Sequence, residues 1–372
     1  MSIEPTPAPL RLHSLQSLRA VAALLVVIFH SVQIWRELVG TSEFTGVWDR
    51  GWAGVDLFFV ISGFVMVWVA GGRAAGVGTA ARFLWDRVTR VYPLWWVFCA
   101  LMALYFLVTY GQPASPATHT SATAWGMFAR SMLLWPQGEM PVLAVGWTLI
   151  YEMAFYGVFG LLLLVSAKWR PIGLIAWGVI LLLLWNVTPA DSGLPSSWSL
   201  TLANSLCLEF LIGAAVAYGL KAARIPAPAA LAVAAIGVLA FIAAMVFASG
   251  FDADALNRSR VLGFGLSSGL IVFGIVGWEI SGHGQIAGWL RKVGDASYTL
   301  YLSHFLVLLV LKRVFEQVGL FTDVSVMSVV GFTVVGVGGS VISALILYRL
   351  VERPLLRLTR VALAKRAAPR QS

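Results

Sequence analysis

Ser14-Leu-Gln-Ser-Leu-Arg-Ala-Val-Ala-Ala-Leu-Leu-Val-Val-Ile-Phe-His-Ser31 is an apolar run long enough to enter a bilayer, and it carries Arg19 and His30. Eleven residues separate the two, close to three helical turns, so both project from one side of the helix. At 1.5 Å per residue, His30 stands roughly 16 Å further along the axis. An ionisable side chain in hydrocarbon costs several kcal/mol unless it has a partner or a polar cavity. A first span with two such groups on one face is therefore a candidate for function as well as for anchoring.

The rest of the chain has the same character. Of its 372 residues 59% are hydrophobic and 12% charged, about half the charged share of a soluble domain. The fold class is all-α, a polytopic membrane protein. Ten spans can be drawn, at 17–36, 52–70, 88–110, 143–166, 172–187, 200–220, 228–249, 260–280, 296–314 and 325–350. With the N-terminus inside, 19 of the 26 Lys and Arg fall in cytoplasmic segments, and the even span count returns the C-terminus to that side. The net charge of +9 is thereby explained by topology, and a nucleic-acid partner is excluded. Many of the 16 Trp lie near the ends of apolar runs, as interfacial anchors do. Cys99 and Cys207 fit no metal or redox spacing and read as core residues. Neither a cleavable leader nor an internal repeat is expected. Residues 1–355 form one membrane domain, followed by a basic cytoplasmic tail over 356–372.

Between the spans, the loop at 111–142 contains Trp125-Gly-Met-Phe-Ala-Arg130 and Met132-Leu-Leu-Trp-Pro136, a candidate interfacial or re-entrant helix. The glycine-rich 71–82 stretch lacks a strand-turn-helix context and reads as a cytoplasmic linker. Gly265-x-x-x-Gly269 and the Gly331, Gly336, Gly338 and Gly339 run read as faces of close helix packing.

Depth sorts the ionisable groups. His30, Asp56 and Glu152 fall in the outer half of three spans, while Glu209 and His304 lie nearer the middle of spans six and nine. An imidazole beside a carboxylate is a general-base arrangement, so Glu152 is expected to orient His30; polar stitching of helices is the plainer reading. Arg87 and Arg90, spaced i,i+3 at the inner edge of span three, share a face suited to phosphate oxygens, though such a pair also serves as a topology anchor. His13, His119 and His283 show no metal spacing, and no Gly-x-Ser-x-Gly elbow or His-x4-Asp pattern occurs.

These segments together resemble the acyltransferase-3 family of integral-membrane acyltransferases. The resemblance rests on Ser14-Leu-Gln-Ser-Leu-Arg-Ala-Val-Ala-Ala with His30, Gly54-Val-Asp-Leu-Phe-Phe-Val-Ile-Ser-Gly63, and Arg87-Val-Thr-Arg90 followed by Tyr92-Pro93. Gly146-Trp-Thr-Leu-Ile-Tyr-Glu152, Ser297-Tyr-Thr-Leu-Tyr-Leu-Ser-His304 and Val351-Glu-Arg-Pro354 continue it in order over nearly the whole chain. The wording is most like the exopolysaccharide O-acetyltransferase branch, which usually has Asn where this chain has Ile150. The resemblance implies ten spans and transfer of an acyl group, usually acetyl from cytosolic acetyl-CoA, to a carbohydrate hydroxyl, with no metal. It carries over His30 as the essential first-span histidine, Arg19 as its partner and Arg87 with Arg90 as the donor-side pair, with Glu152 at the acidic position of span four. Tyr92 is placed with the donor arginines, and Asp56, Trp147, Tyr151 and His304 with the acceptor.

The expected enzyme is a multi-pass protein of the bacterial inner (cytoplasmic) membrane. Its partners are acyl-CoA, a polysaccharide or lipid-linked glycan acceptor, membrane lipids and polysaccharide-assembly proteins. His30 acts as base or carries the acyl group itself. The competing reading is a transporter or flippase of an acyl group or glycan intermediate, whose marks would be inverted repeats and helices interrupted at mid-membrane. An inactive assembly scaffold is a third.

Overall fold

Backbone amides inside a bilayer find hydrogen-bond partners only within their own segment, so an apolar chain of this kind folds as helices. The computed structural model describes residues 12–41, 46–109, 121–185, 194–247, 259–283 and 288–359, and every regular element among them is helical. In order these are α1 (His13–Val39), a 3-10 segment (Gly46–Ala53) running into α2 (Gly54–Ala70), α3 (Val77–Val108), α4 (Ser121–Met132), α5 (Gly146–Leu162), α6 (Arg170–Leu184) and α7 (Trp198–Ala203). Then come α8 (Cys207–Ala222), α9 (Ala227–Phe247), a π-helical turn (Val261–Gly265) leading into α10 (Leu266–Ile280), α11 (Gly288–Asp295), α12 (Ser297–Val318) and α13 (Val326–Leu347), the last running into a second π-helical turn (Tyr348–Glu352) and on as helix to Thr359.

Seven helical runs are long and apolar enough to cross a membrane: His13–Val39, Gly46–Ala70, Val77–Val108, Ala227–Phe247, Val261–Ile280, Ser297–Val318 and Val326–Thr359. Gly146–Leu162 and Arg170–Leu184 are shorter apolar helices, and α8 has 16 residues. The protein is a polytopic helical membrane protein.

The elements depart from the sequence reading in four places. Stretch 200–220 is not one helix. Asn204 leaves the helical conformation, and its side-chain oxygen accepts from the Leu206 amide at 3.0 Å, so a side-chain turn divides α7 from α8. Helix α3 starts at Val77, inside the stretch read as a linker, because Gly76 makes the turn at φ 144° and an alanine-containing segment follows it. Helix α11 lies between the spans drawn at 260–280 and 296–314, where no helix was drawn. The Gly338 position faces open space, whereas Gly265 and Gly269 face Glu209 and Ile212 of α8, and Gly336 meets Leu308 and Ser31. Residues 1–11 and 360–372, with most of the expected basic tail, lie outside the described residues, as does His119.

Helix α1 lies at the centre, touching the 3-10 segment, α2, α10, α11, α12 and α13. Ala20, Ala22, Ala23 and Val27 are fully buried, and their small size lets neighbouring helices approach. The first residues of α1 have no side-chain cap of their own. Instead the Glu279 carboxylate, at the end of α10, accepts from the His13 amide at 2.7 Å and the Ser14 amide at 2.9 Å, and also from the Ser14 hydroxyl. An anion there satisfies orphan donors and complements the helix dipole.

At another crossing the backbones touch. A Cβ on Gly63 of α2 would lie 1.9 Å from the Phe210 carbonyl oxygen of α8, and one on Gly213 would lie 1.9 Å from that of Val60. The α2–α10 contact is sealed by charge. Asp56 and Arg260, both buried, form a two-bond pair at 3.0 Å for each contact, and the guanidinium also lies over the rings of Trp52 (4.5 Å) and Trp147 (5.8 Å). Glu209, wholly buried nearby with no hydrogen bond to its carboxylate oxygens among the described residues, lies within the electrostatic reach of both.

Two outcomes follow for protein in detergent. Gly63→Ala or Gly213→Ala lowers the thermal unfolding temperature, because backbone oxygens cannot yield to a methyl group. Arg260→Met destabilises by about 3 kcal/mol or more, since it strands two acids in the interior. Asp56→Asn costs less, because Glu209 remains to face Arg260; equal losses in thermal-shift measurements would contradict this arrangement.

Candidate active site

One cavity of about 860 Å³ runs along α2 from Val69 to Val55, a distance of roughly 21 Å at helical rise. Its walls come from the first two turns of α1, the middle of α3, the start of α5, the whole depth of α2, α11, the start of α12 and the second π-helical turn. Five arginines line it: Arg19, Arg87, Arg90, Arg291 and Arg353, against the acids Glu152 and Asp295. Arg19 donates to the Ser297 hydroxyl at 3.1 Å and lies among the charges of Arg90, Glu152 and Glu352. Arg87 sits over the rings of Phe83 (5.6 Å) and Tyr156 (5.9 Å). Its buried Nε donates to no described residue. A rigid guanidinium held by aromatic faces with a donor to spare is built to receive an anion.

Glu152 is part of this wall. Its carboxylate accepts from Ser62 at 3.0 Å and from the Tyr156 hydroxyl. The expected pairing of Glu152 with His30 is not made: no hydrogen bond joins the two among the described residues, and Glu152 Oε1 is instead bonded to Ser62 of α2 and to Tyr156 of its own helix.

His30 instead meets His304. The His304 Nε2 and His30 Nδ1 atoms lie 3.1 Å apart, with ring centroids 5.0 Å apart. His304, expected beside the acceptor, is wholly buried. Between this pair and the cavity stands Tyr301. One side of its side chain lines the cavity, and its ring is 6.0 Å from that of His304 and 5.8 Å from that of Phe58. Its hydroxyl is bonded to Thr148 at 2.8 Å and donates to the Val145 carbonyl at 3.2 Å. The arginine cavity and the histidine pair are thus separated by one aromatic layer.

The other expected site residues lie elsewhere. The Tyr92 hydroxyl donates to the Leu133 carbonyl at 2.8 Å, next to Trp95 and Trp96, which donate to the Ser131 and Met132 carbonyls at 2.9 Å each. Three aromatic donors from the middle of α3 thereby cap the C-terminal end of α4, so the segment expected to be interfacial or re-entrant reaches deep beside α3. Tyr92 is occupied with that cap and does not line the arginine cavity. Asp56 and Trp147 belong to the Arg260 cluster, and Tyr151 packs on Phe59 and Trp147 with ring centroids 6.0 Å away in each case. No group of three metal-ligating side chains occurs among the described residues.

Sequence reasoning missed Arg291, Arg353, Tyr298 and Tyr301 as cavity residues, and Arg260 as the partner of Asp56. Arg291 and Arg353 had been absorbed into the count of cytoplasmic charges. The motifs Ser297–His304 and Val351–Pro354 did contain Tyr298, Tyr301 and Arg353, but neither assigned them a role.

A family model described as an acyltransferase domain matches residues 12–349. The chain is 31% identical over 313 residues to the exopolysaccharide production protein ExoZ of Rhizobium meliloti (strain 1021), covering 82% of this chain and 90% of that protein. It is also 24% identical over 378 residues to the acyltransferase MdmB of Streptomyces mycarofaciens, covering 95% of this chain and 93% of that one. No solved structure matches. The chain belongs to the acyltransferase-3 family of membrane proteins.

Proposed function

We propose that this protein moves an acetyl group from cytosolic acetyl-CoA to a hydroxyl of an extracytoplasmic polysaccharide or its lipid-linked precursor, in the bacterial inner membrane. The observation that carries the reading is the arginine cavity ending one aromatic layer from His30. Arg87, Arg90, Arg291 and Arg353 form no hydrogen bond or ion pair with described residues, which leaves their donors for the phosphates of the donor. The likeness to ExoZ, a protein named for exopolysaccharide production, supports a polysaccharide acceptor. The ten-span topology joins the seven long helical runs with α5, α6 and α8, and puts both termini in the cytoplasm. Arg19 then lies on the donor side of α1 and His30 on the acceptor side.

In the reaction His30 takes the proton of the acceptor hydroxyl as its oxygen attacks the thioester carbonyl. The new ester bond forms, the carbon–sulfur bond breaks, and the thiolate leaves with that proton. Glu152 serves the donor side, holding Tyr156 beneath the Arg87 guanidinium. The Tyr301 ring must move from Thr148 for the thioester to reach His30.

His30→Ala abolishes acceptor-dependent thioester cleavage by purified protein while leaving its thermal stability near wild type; retained cleavage would defeat the assignment. Arg87→Ala and Arg90→Ala each raise the KM for acetyl-CoA about tenfold or more, the size of one lost charge-assisted hydrogen bond. Comparing surface polysaccharide by NMR, with and without the protein, identifies the acyl group and the hydroxyl. A flippase would leave the thioester uncleaved.

A further inference from the structure

We propose that His304 is a positioning residue that holds His30 in one tautomer, with the proton on Nδ1 and the reactive lone pair on Nε2. The inference deepens the acyl-transfer reading of His30 and rests on it for the consequence, though not for the tautomer.

The hydrogen bonds determine the protons in sequence. His304 Nδ1 lies 3.0 Å from the Leu300 carbonyl oxygen. A carbonyl only accepts, so this nitrogen carries the hydrogen, and in a neutral imidazole Nε2 is then an acceptor. That acceptor is 3.1 Å from His30 Nδ1. Two lone pairs do not meet at that distance, so His30 Nδ1 carries a hydrogen. A second acceptor, the Val26 carbonyl, lies 3.1 Å from the same atom and makes the same demand. In neutral His30 the remaining nitrogen, Nε2, is unprotonated. It forms no hydrogen bond with described residues, and His30 keeps accessible surface where His304 has none.

A histidine suits this position for a physical reason. The other aromatic rings against the two imidazoles are Phe29, Phe305 and Tyr301, and no carboxylate is hydrogen-bonded to either ring among the described residues. A carboxylate here would need to be desolvated and compensated. A neutral imidazole fixes the tautomer by the same geometry without burying a charge. When His30 Nε2 takes the acceptor's proton, the resulting imidazolium donates from Nδ1 to the His304 lone pair, and that bond strengthens with the charge.

The test is nitrogen-15 NMR of histidine-labelled protein in nanodiscs, without substrate, together with acetyl transfer kinetics. Wild-type His30 shows a protonated Nδ1 and an unprotonated Nε2. His304→Leu removes one of the two acceptors at His30 Nδ1 and leaves only the Val26 carbonyl, so the Nε2-protonated tautomer gains a detectable share and the imidazolium loses its imidazole partner; kcat falls about 100-fold, within the range of general-base effects, while the KM for acetyl-CoA stays within about twofold. His304→Gln offers an amide oxygen near the position of Nε2 and restores the tautomer and most of kcat. A wild-type His30 protonated at Nε2, or a His304→Leu protein with unchanged kcat, would overturn the proposal. If the NMR signature holds but wild-type protein cleaves no thioester, the acyl-transfer reading fails and the tautomer assignment stands.

Discussion

The cost of placing an ionisable side chain in hydrocarbon governs this molecule, and it is met in three different ways. Asp56 and Arg260 neutralise each other in a wholly buried pair, enclosed by Trp52 and Trp147. His30 and His304 avoid charge by sharing a hydrogen bond between rings. The arginines of the large cavity keep their charge by lining a polar space. Each solution serves a different end. The first fixes helices, and in the proposed reaction the second prepares a base and the third receives an anion. A buried ion pair is weak support for stability in itself, but here removing Arg260 would leave Asp56 and Glu209 together with no cation, whereas removing Asp56 leaves Glu209 to face Arg260.

These settings are coordinated by two helices running side by side. Arg19 contacts Ser297, His30 contacts His304, and Glu37 contacts Lys312 at 3.4 Å, so α1 and α12 advance in the same direction. Ser297, Tyr301 and His304 follow at i, i+4 and i+7, one stripe of α12. The stripe passes from the arginine cavity, through the aromatic layer, to the histidine pair. Both π-helical turns occur beside charged residues, Arg260 before the first and Glu352 at the end of the second. Such turns are frequent at functional sites because the extra residue re-aims the side chains that follow.

The sequence disclosed the apolar segments and the common face of Arg19 and His30, because these follow from composition and helical period alone. It also marked Arg87 and Arg90. It could not disclose partners. His30 and His304 are 274 positions apart, Asp56 and Arg260 204 apart, and no local pattern links them. Pairing His30 with Glu152 followed from similar depth, yet depth does not fix which way a helix is turned about its axis. Tyr92 beside the donor arginines was likewise plausible by proximity in the chain. Its hydroxyl is instead required by a carbonyl at the end of α4, a demand visible only once that helix is seen to reach the middle of α3.

The aromatic layer at Tyr301 has a consequence beyond chemistry. In the proposed reaction the donor arrives from one face of the membrane and the acceptor from the other, so the layer between the cavity and the histidine pair also has to keep the membrane closed to ions. An ion that crossed would dissipate about 2.3 kcal/mol for each elementary charge per 100 mV. Tyr301 is held by Thr148 and Val145 of the α5 entrance and packed on Phe58 of α2, so three helices close the passage while the site is at rest. On the proposed reaction, any opening of this layer is to be coupled to a cargo bulky enough to fill the gap it makes.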